Sequence, residues 1–347
     1  MDASILLGIA LIAIGSFSAA SFAVPFGKTA GWKWETYWMV FSFGSCILFP
    51  LIACILFAPD FVSIFRVTPP ATLLAVFLLG AVYGVGNLCF GLGLRYLGLS
   101  LGYALSLGLM LAIGTLIPPL IDGRLQVMIQ ESGGNLLLMG VLVACVGVGL
   151  SAWSGILKDR HVSDAKKQES IGEFNLVKGI LSAVLVGILG SAMSLGIEQG
   201  RPIAANALQL GVDPLFTAMP VMLVILSGTM VTVIVWCLYL GYKNRSLKEY
   251  VTAASSKALR ANYLLCLLAA LLWFSQFILY GMGRSKMGPF TFTSWGILMA
   301  LSIVFATVWG LIRKEWKGAP ARAYVLMMVS LLLLITASFM IGISGSE

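Results

Sequence analysis

Charge is what this sequence has least of. Only 10% of its 347 residues are Asp, Glu, Lys or Arg, against roughly a quarter in soluble globular chains, so a water-solvated globular domain is excluded. Histidine occurs once, at His161 in a charged segment. No set of imidazoles is available for a metal, and neither a metal nor another cofactor is expected. The six cysteines, Cys46, Cys54, Cys89, Cys145, Cys237 and Cys266, all fall in apolar stretches, where a thiol behaves as a small buried hydrophobe and not as part of a disulfide framework. An enzyme acting on lipid-linked substrates would show clustered acids for a metal-bound diphosphate. The nearest acids, Asp159 and Asp164, lack such clustering, and no catalytic residues are expected.

Apolar sequence fills the space that charge leaves. Hydrophobic residues make up 59% of the chain and the mean hydropathy is +0.98. Ten uncharged stretches lie between the charged residues: 3–27, 36–59, 67–94, 96–121, 132–157, 179–197, 214–242, 261–283, 287–312 and 323–346. Each runs 19 to 29 residues, and a helix needs roughly 20 to cross the hydrocarbon layer. The sequence therefore predicts an all-α membrane protein of ten transmembrane helices. The first stretch ends in small residues, Ser18 to Ala23, that loosely resemble a signal cleavage site. It carries Asp2 in place of a basic leader and is too long for a signal core, so it is read as helix one.

The longest connection, KDRHVSDAKKQESIGE from Lys158 to Glu173, is too short for a soluble domain. It divides the chain into residues 1–157 with five helices, a central charged cytoplasmic loop at 158–178, and residues 179–347 with five more. Counting Lys and Arg in alternate connections gives 17 on one side and 5 on the other. By the positive-inside rule both termini of the multi-pass chain face away from the cytoplasm. The net charge of +8 follows from this topology, so no nucleic-acid partner is implied; the bilayer is the expected surrounding.

The two halves repeat. SAASFAVPFGK (Ser18–Lys28) matches SAMSLGIEQGR (Ser191–Arg201): serine, two intervening residues, serine, then a basic residue ten positions after the first serine. GVGNLCFGLGLRYLG (Gly84–Gly98) matches WFSQFILYGMGRSKMG (Trp273–Gly288), with an amide, Asn87 or Gln276, eight residues before Arg95 or Arg284. The spaced pair Gly91 and Gly93 in the first has its counterpart in Gly281 and Gly283 of the second, one position further along. Five helices per copy is an odd number, so the second copy enters the membrane inverted. Inverted repeats mark secondary transporters, which hold their substrate near the midplane and release it by rocking one part against another.

Eight residues of helix span ~12 Å, which puts Asn87 and Gln276 near mid-membrane, where an amide is unfavourable unless a helix or a ligand satisfies it. Tyr83 lies at i−4 from Asn87; Trp273 lies at i−3 and Tyr280 at i+4 from Gln276, on the same helical faces. Aromatic rings pack on the C–H face of a sugar while amides and hydroxyls bond its rim. Ser21 and Ser194, with Ser18 and Ser191, supply hydroxyls. The competing use of these polar groups is hydrogen bonding between helices, and the four glycines are read as allowing close packing. No ionisable side chain lies inside the ten stretches. The candidate for proton coupling is Glu198, one turn beyond Ser194, which is equally placed to pair with Arg201; Glu35 and Asp122 are more distant. Asp213 before Pro214 reads as a helix N-cap.

These stretches, with FGKTAGWKWETYW (Phe26–Trp38), LRYLGLSLG (Leu94–Gly102), GTLIPPLIDG (Gly114–Gly123), EFNLVKG (Glu173–Gly179), LGVDPL (Leu210–Leu215), WFSQF (Trp273–Phe277) and KEW (Lys314–Trp316), resemble the bacterial L-rhamnose/proton symporters of the drug/metabolite transporter superfamily over nearly the whole chain. The resemblance implies a ten-helix carrier that imports L-rhamnose or a similar neutral deoxyhexose with protons. It also implies a histidine after the Ser-Trp pair of helix nine, where this sequence reads SWGILM and has Leu298. That departure leaves a carrier for another small polar metabolite, such as a ureide or amino acid, or an uncoupled facilitator, as the alternatives.

Overall fold

The computed structural model describes residues 3–121, 134–161, 173–253, 255–287 and 294–344. Among these, every regular element is helical. In chain order the helices are α1 (Ala3–Ser21), α2 (Trp34–Phe43), α3 (Phe49–Phe57), α4 (Phe61–Val67), α5 (Pro70–Ile121), α6 (Gly134–His161), α7 (Leu176–Gln199), α8 (Arg201–Gln209), α9 (Ala218–Lys243), α10 (Ser256–Lys286), α11 (Ser294–Ile312) and α12 (Ala321–Ser344). Eight helical segments are long and apolar enough to cross a membrane, and Ile297–Ile312 is a shorter apolar helix.

One of the eight holds a break. Inside α5, Gly98 has φ 79° and ψ −178°, a left-handed φ that glycine takes without steric penalty. The chain reverses there, so the third and fourth stretches of the sequence form arms 70–97 and 99–121. Antiparallel contact follows: a Cβ on Gly102 would meet the Leu94 side chain at 2.9 Å.

The helices sort into two compact units that interleave along the chain. One comprises Met1–Ala20, Gly86–Ser191 and Met282–Glu347; the other comprises Ser21–Val85 and Ala192–Gly281. Helices α1, α5, α7 and α10 each contribute a part to both.

In the first unit, α6 packs along α12 through a small-residue face. A Cβ on Gly140 would lie 2.8 Å from Ile341 and one on Gly147 3.1 Å from Leu334, and Ser154 Oγ donates to the Ala323 carbonyl at 2.8 Å. Close approach of this kind is how membrane helices associate when lipid removes the hydrophobic driving force. Gly8 and Gly283 do the same for α1 and α10: a Cβ on either would fall within 2.8 Å of the other's carbonyl oxygen. Gly283 therefore serves packing, as its small size suggests.

The second unit joins the first arm of α5 to α9 still more tightly. A Cβ on Gly80 would sit 1.9 Å from the Ile225 carbonyl oxygen, and one on Gly228 the same 1.9 Å from that of Phe77. Two hydroxyls of α9 lock the pair: Thr229 donates to the Gly80 carbonyl at 2.9 Å and Thr232 to that of Ala81 at 2.7 Å. Beside them α2 runs into a π-helical turn, Gly44–Leu48, before α3.

Asp213 is not the N-cap of the seventh stretch. Its carboxylate accepts the Leu215 N–H at 2.8 Å, closing a local turn, while α9 starts five residues later with Thr217 at its N-cap position. An Asp-Pro pair serves a turn as readily as a helix start, and here the turn wins.

Candidate functional site

Asn87 lies on the first arm of α5 and belongs to the first unit. It is 4% exposed, and its Oδ1 is buried with no hydrogen-bond partner among the described residues. Buried side-chain oxygens in folded proteins nearly always have a partner. This one is held ready to accept a bond that the surrounding helices do not supply.

The other sugar-facing candidates lie in the second unit. Gln276 is 8% exposed, and its Nε2 donates to the Trp273 carbonyl at 2.8 Å, within its own helix and not across to another. Trp273, 6% exposed, meets Phe41 edge-on at 6.2 Å between ring centroids and Phe277 at 5.1 Å. Tyr83 and Tyr280 are half-buried. Ser21 is buried and Ser194 is exposed. Ser191 Oγ, although buried, bonds its own helix at the Ile188 carbonyl, 2.6 Å away.

Glu198 is in the same unit on an exposed surface. Its carboxylate meets the Arg201 guanidinium at 2.8 Å, with the two side chains 51% and 76% exposed. The i+3 pairing that the spacing allows is therefore made. Asp122 lies outside the described residues. Leu298, where the family resemblance implies histidine, is 1% exposed, and its carbonyl accepts the Ser16 hydroxyl at 3.2 Å.

Two acids that flank the apolar stretches are buried. Glu35 is 2% exposed and Glu315 is 4% exposed. Both sit just outside the apolar stretches, where a charged residue in the sequence looks solvated. Glu35 accepts from Asn244 Nδ2 at 2.9 Å and Ser246 Oγ at 2.7 Å. Nearby, the Glu249 carboxylate accepts the Lys33 N–H at 2.7 Å and the Thr36 hydroxyl at 2.6 Å. Together they tie the start of α2 to the segment after α9.

Glu315 holds the corresponding place in the first unit. Its carboxylate accepts the N–H groups of Leu99 at 2.9 Å and Ser100 at 3.2 Å, the first donors of the arm that begins after Gly98. A Cβ on Gly98 would stand 2.6 Å from that carboxylate, so glycine is required there by space as well as by φ. The Lys158 ammonium lies 5.1 Å from the ring centroids of both Phe174 and Trp316. Arg95 pairs with Glu173 at 2.5 Å, and the Asn175 N–H donates to the Tyr96 carbonyl at 3.0 Å. Burial pushes the Glu315 carboxyl above the ordinary carboxylate range, against the two amide donors and the charges of Lys158 and Arg313. Three of the sequence motifs, LRYLGLSLG, EFNLVKG and KEW, thus converge on one buried polar cluster. What the sequence shows is their composition: acids and a lysine among aromatic and small residues at helix ends.

A family model described as "L-rhamnose-proton symport protein (RhaT)" matches residues 1–346. The "L-rhamnose-proton symporter" of Citrobacter koseri is 36% identical over 345 residues, covering 99% of this chain and 98% of its own. Those of Cronobacter sakazakii and Escherichia coli O1:K1 / APEC are each 36% identical over 346 residues, covering 99% of both chains. No solved structure matches.

Proposed function

The chain belongs to the L-rhamnose-proton symport protein family, and we propose that it imports L-rhamnose, or a closely similar neutral deoxyhexose, together with protons by alternating access. The observation that carries the substrate reading is Asn87, whose Oδ1 is buried and has no partner among the described residues. A glue residue would have spent that acceptor on a neighbouring helix. Gln276, Trp273, Tyr280, Tyr83, Ser21 and Ser194 complete the proposed set: amides and hydroxyls for the sugar's rim, rings for its C–H face. All seven are neutral, which suits an uncharged solute, since a charged one would want a buried counter-charge among them.

The architecture proposed for this activity is ten transmembrane helices in two inverted repeats, residues 1–157 and 179–347, joined by a cytoplasmic loop at 158–178, as in the drug/metabolite transporter superfamily. Both termini face away from the cytoplasm of a bacterial inner membrane. Glu198 is the proposed proton carrier. It sits paired with Arg201 at 2.8 Å, so a role in transport requires that pair to open. The experiment that tests the activity is uptake of labelled L-rhamnose into proteoliposomes of the purified protein with an imposed pH gradient. Accumulation above equilibrium is expected; no uptake of L-rhamnose or of any competing monosaccharide overturns the reading.

A further inference from the structure

We infer that Trp38 and Ser42 of α2 form a sugar-hydroxyl recognition pair in the proposed substrate site. The inference rests on the sugar-transport reading above and adds residues that neither the repeat nor the family motifs single out for binding. The two lie one helical turn apart, at i and i+4, and so share a face. Trp38 is 2% exposed and Ser42 0%, yet both Trp38 Nε1 and Ser42 Oγ are buried with no hydrogen-bond partner among the described residues. Leaving a buried donor or acceptor unsatisfied is costly, and two on a single helical face call for an occupant that satisfies both.

The surroundings fit a sugar. Trp38 stacks on Trp34 at 5.2 Å between ring centroids and meets Phe41 at 5.0 Å, Phe26 at 6.0 Å and Phe22, the neighbour of Ser21, at 6.4 Å. Phe41 links this wall of rings to Trp273, one turn from Gln276. The backbone adds a third, independent sign. Directly after Ser42 and Phe43 the helix loosens into the π-helical turn Gly44–Leu48, a departure often found at functional sites. Gly44 there brings α2 against α10, since a Cβ on it would lie 2.6 Å from that of Ala270, one turn before Trp273. An indole N–H only donates and a serine hydroxyl both donates and accepts, a combination that reads adjacent hydroxyl and ring oxygens. The aromatic wall suits the C–H face and methyl group of a deoxyhexose.

The test is titration of L-rhamnose into purified parent, Trp38→Phe and Ser42→Ala proteins by calorimetry, with the thermal midpoint of each sugar-free protein measured alongside. Phenylalanine keeps a ring and deletes only the N–H. Each variant is expected to bind about tenfold more weakly, one hydrogen bond's worth, with a sugar-free midpoint equal to or above the parent's, because an orphaned buried group has been removed. For each variant a monodeoxy rhamnose lacking the recognised hydroxyl should bind parent and variant alike. Parental affinity in both variants overturns the inference, as does an affinity loss that appears only with a lowered midpoint, the mark of a packing role. If the parent itself binds no monosaccharide, the sugar reading fails and not merely this refinement of it.

Discussion

The Glu315 carboxylate accepts the Leu99 N–H at 2.9 Å, which makes a side chain from the segment between α11 and α12 the cap of the α5 arm that starts after Gly98. The first N–H groups of a helix have no partner within it, and a carboxylate at that end also meets the positive pole of the helix. Removing the carboxylate in Glu315→Ala leaves the Leu99 and Ser100 donors unsatisfied and takes away a carboxylate that Lys158 attracts. The thermal midpoint in detergent should fall by an amount equivalent to roughly 1–3 kcal/mol. A variant as stable as the parent would show that the cap carries no weight.

The same residue sets a pH dependence. Burial raises the Glu315 carboxyl above its ordinary value in the folded protein, so the folded state holds this proton more tightly than the unfolded chain does. Its contribution to stability is therefore full below the ordinary carboxylate pKa, about 4.3, and is lost as pH rises through the raised folded value. Glu315→Gln, which cannot titrate, lacks this component. The midpoint of the parent relative to Glu315→Gln should decline from acid to neutral pH; a constant difference across that range would count against it.

Gly80 and Gly228 admit no side chain, since a Cβ on either would lie 1.9 Å from a carbonyl oxygen of the facing helix. Backbone cannot yield as a flexible side chain can, so Gly80→Ala or Gly228→Ala must push α5 and α9 apart and stretch the Thr229 and Thr232 bonds. A loss of about 1–3 kcal/mol or more is expected, visible as reduced yield of monodisperse protein. Gly211→Ala is a poor control because its φ is +84°. Gly149→Ala, where a Cβ would meet nothing within 4 Å, should be tolerated.

For the amide that opens the substrate reading, Asn87→Ala should weaken L-rhamnose binding tenfold or more while leaving folding intact, because no described residue bonds its Oδ1. Calorimetric affinity and the thermal midpoint separate the two roles: a lost midpoint with retained affinity would make Asn87 a structural residue.

Much of this was legible in the sequence, and the limits have physical causes. The helices follow from hydropathy, because uncharged runs of this length leave a chain little choice but to span. The distance from Asn87 to Arg95 places the amide deep in its apolar stretch, and the structure buries it. The burial of Glu35 and Glu315 is not legible locally, because a charge beside an apolar run looks like a solvated helix end. Their burial depends on Asn244, Ser246 and the backbone of Leu99 and Ser100, partners 209 to 216 residues away that no local pattern links to them. Trp38 and Ser42 were passed over for the opposite reason. A tryptophan and a serine in a membrane helix are unremarkable until the structure shows that no described residue bonds the Trp38 Nε1 or the Ser42 Oγ.

The orientation proposed from the basic residues has a direct check. An alkaline phosphatase fused after Glu347 should be active and a fluorescent reporter there dark, since both report a terminus outside the cytoplasm. A fusion within 162–172 should behave in the reverse way. The opposite pattern at both sites would invert the assignment, and with it the side on which Glu315 and Lys158 sit.

Energy coupling is where residues and relatives pull apart. The relatives are named for proton symport, but the position where their resemblance implies histidine holds Leu298, apolar and 1% exposed, so helix α11 offers no titrating side chain there. Glu198 is a carboxylate next to the serine face of α7, and it is committed to Arg201. If it carries the proton, Glu198→Gln abolishes pH-driven accumulation of L-rhamnose in proteoliposomes while exchange of internal for external sugar continues, because exchange needs no net proton movement. Arg201→Ala, which frees the carboxylate, should change the rate of uptake rather than eliminate transport. Accumulation unchanged in Glu198→Gln removes Glu198 from the cycle and turns attention to the buried carboxylates of Glu35 and Glu315. A parent that equilibrates L-rhamnose but never concentrates it would instead be a facilitator, with Leu298 standing where its relatives' coupling group is expected.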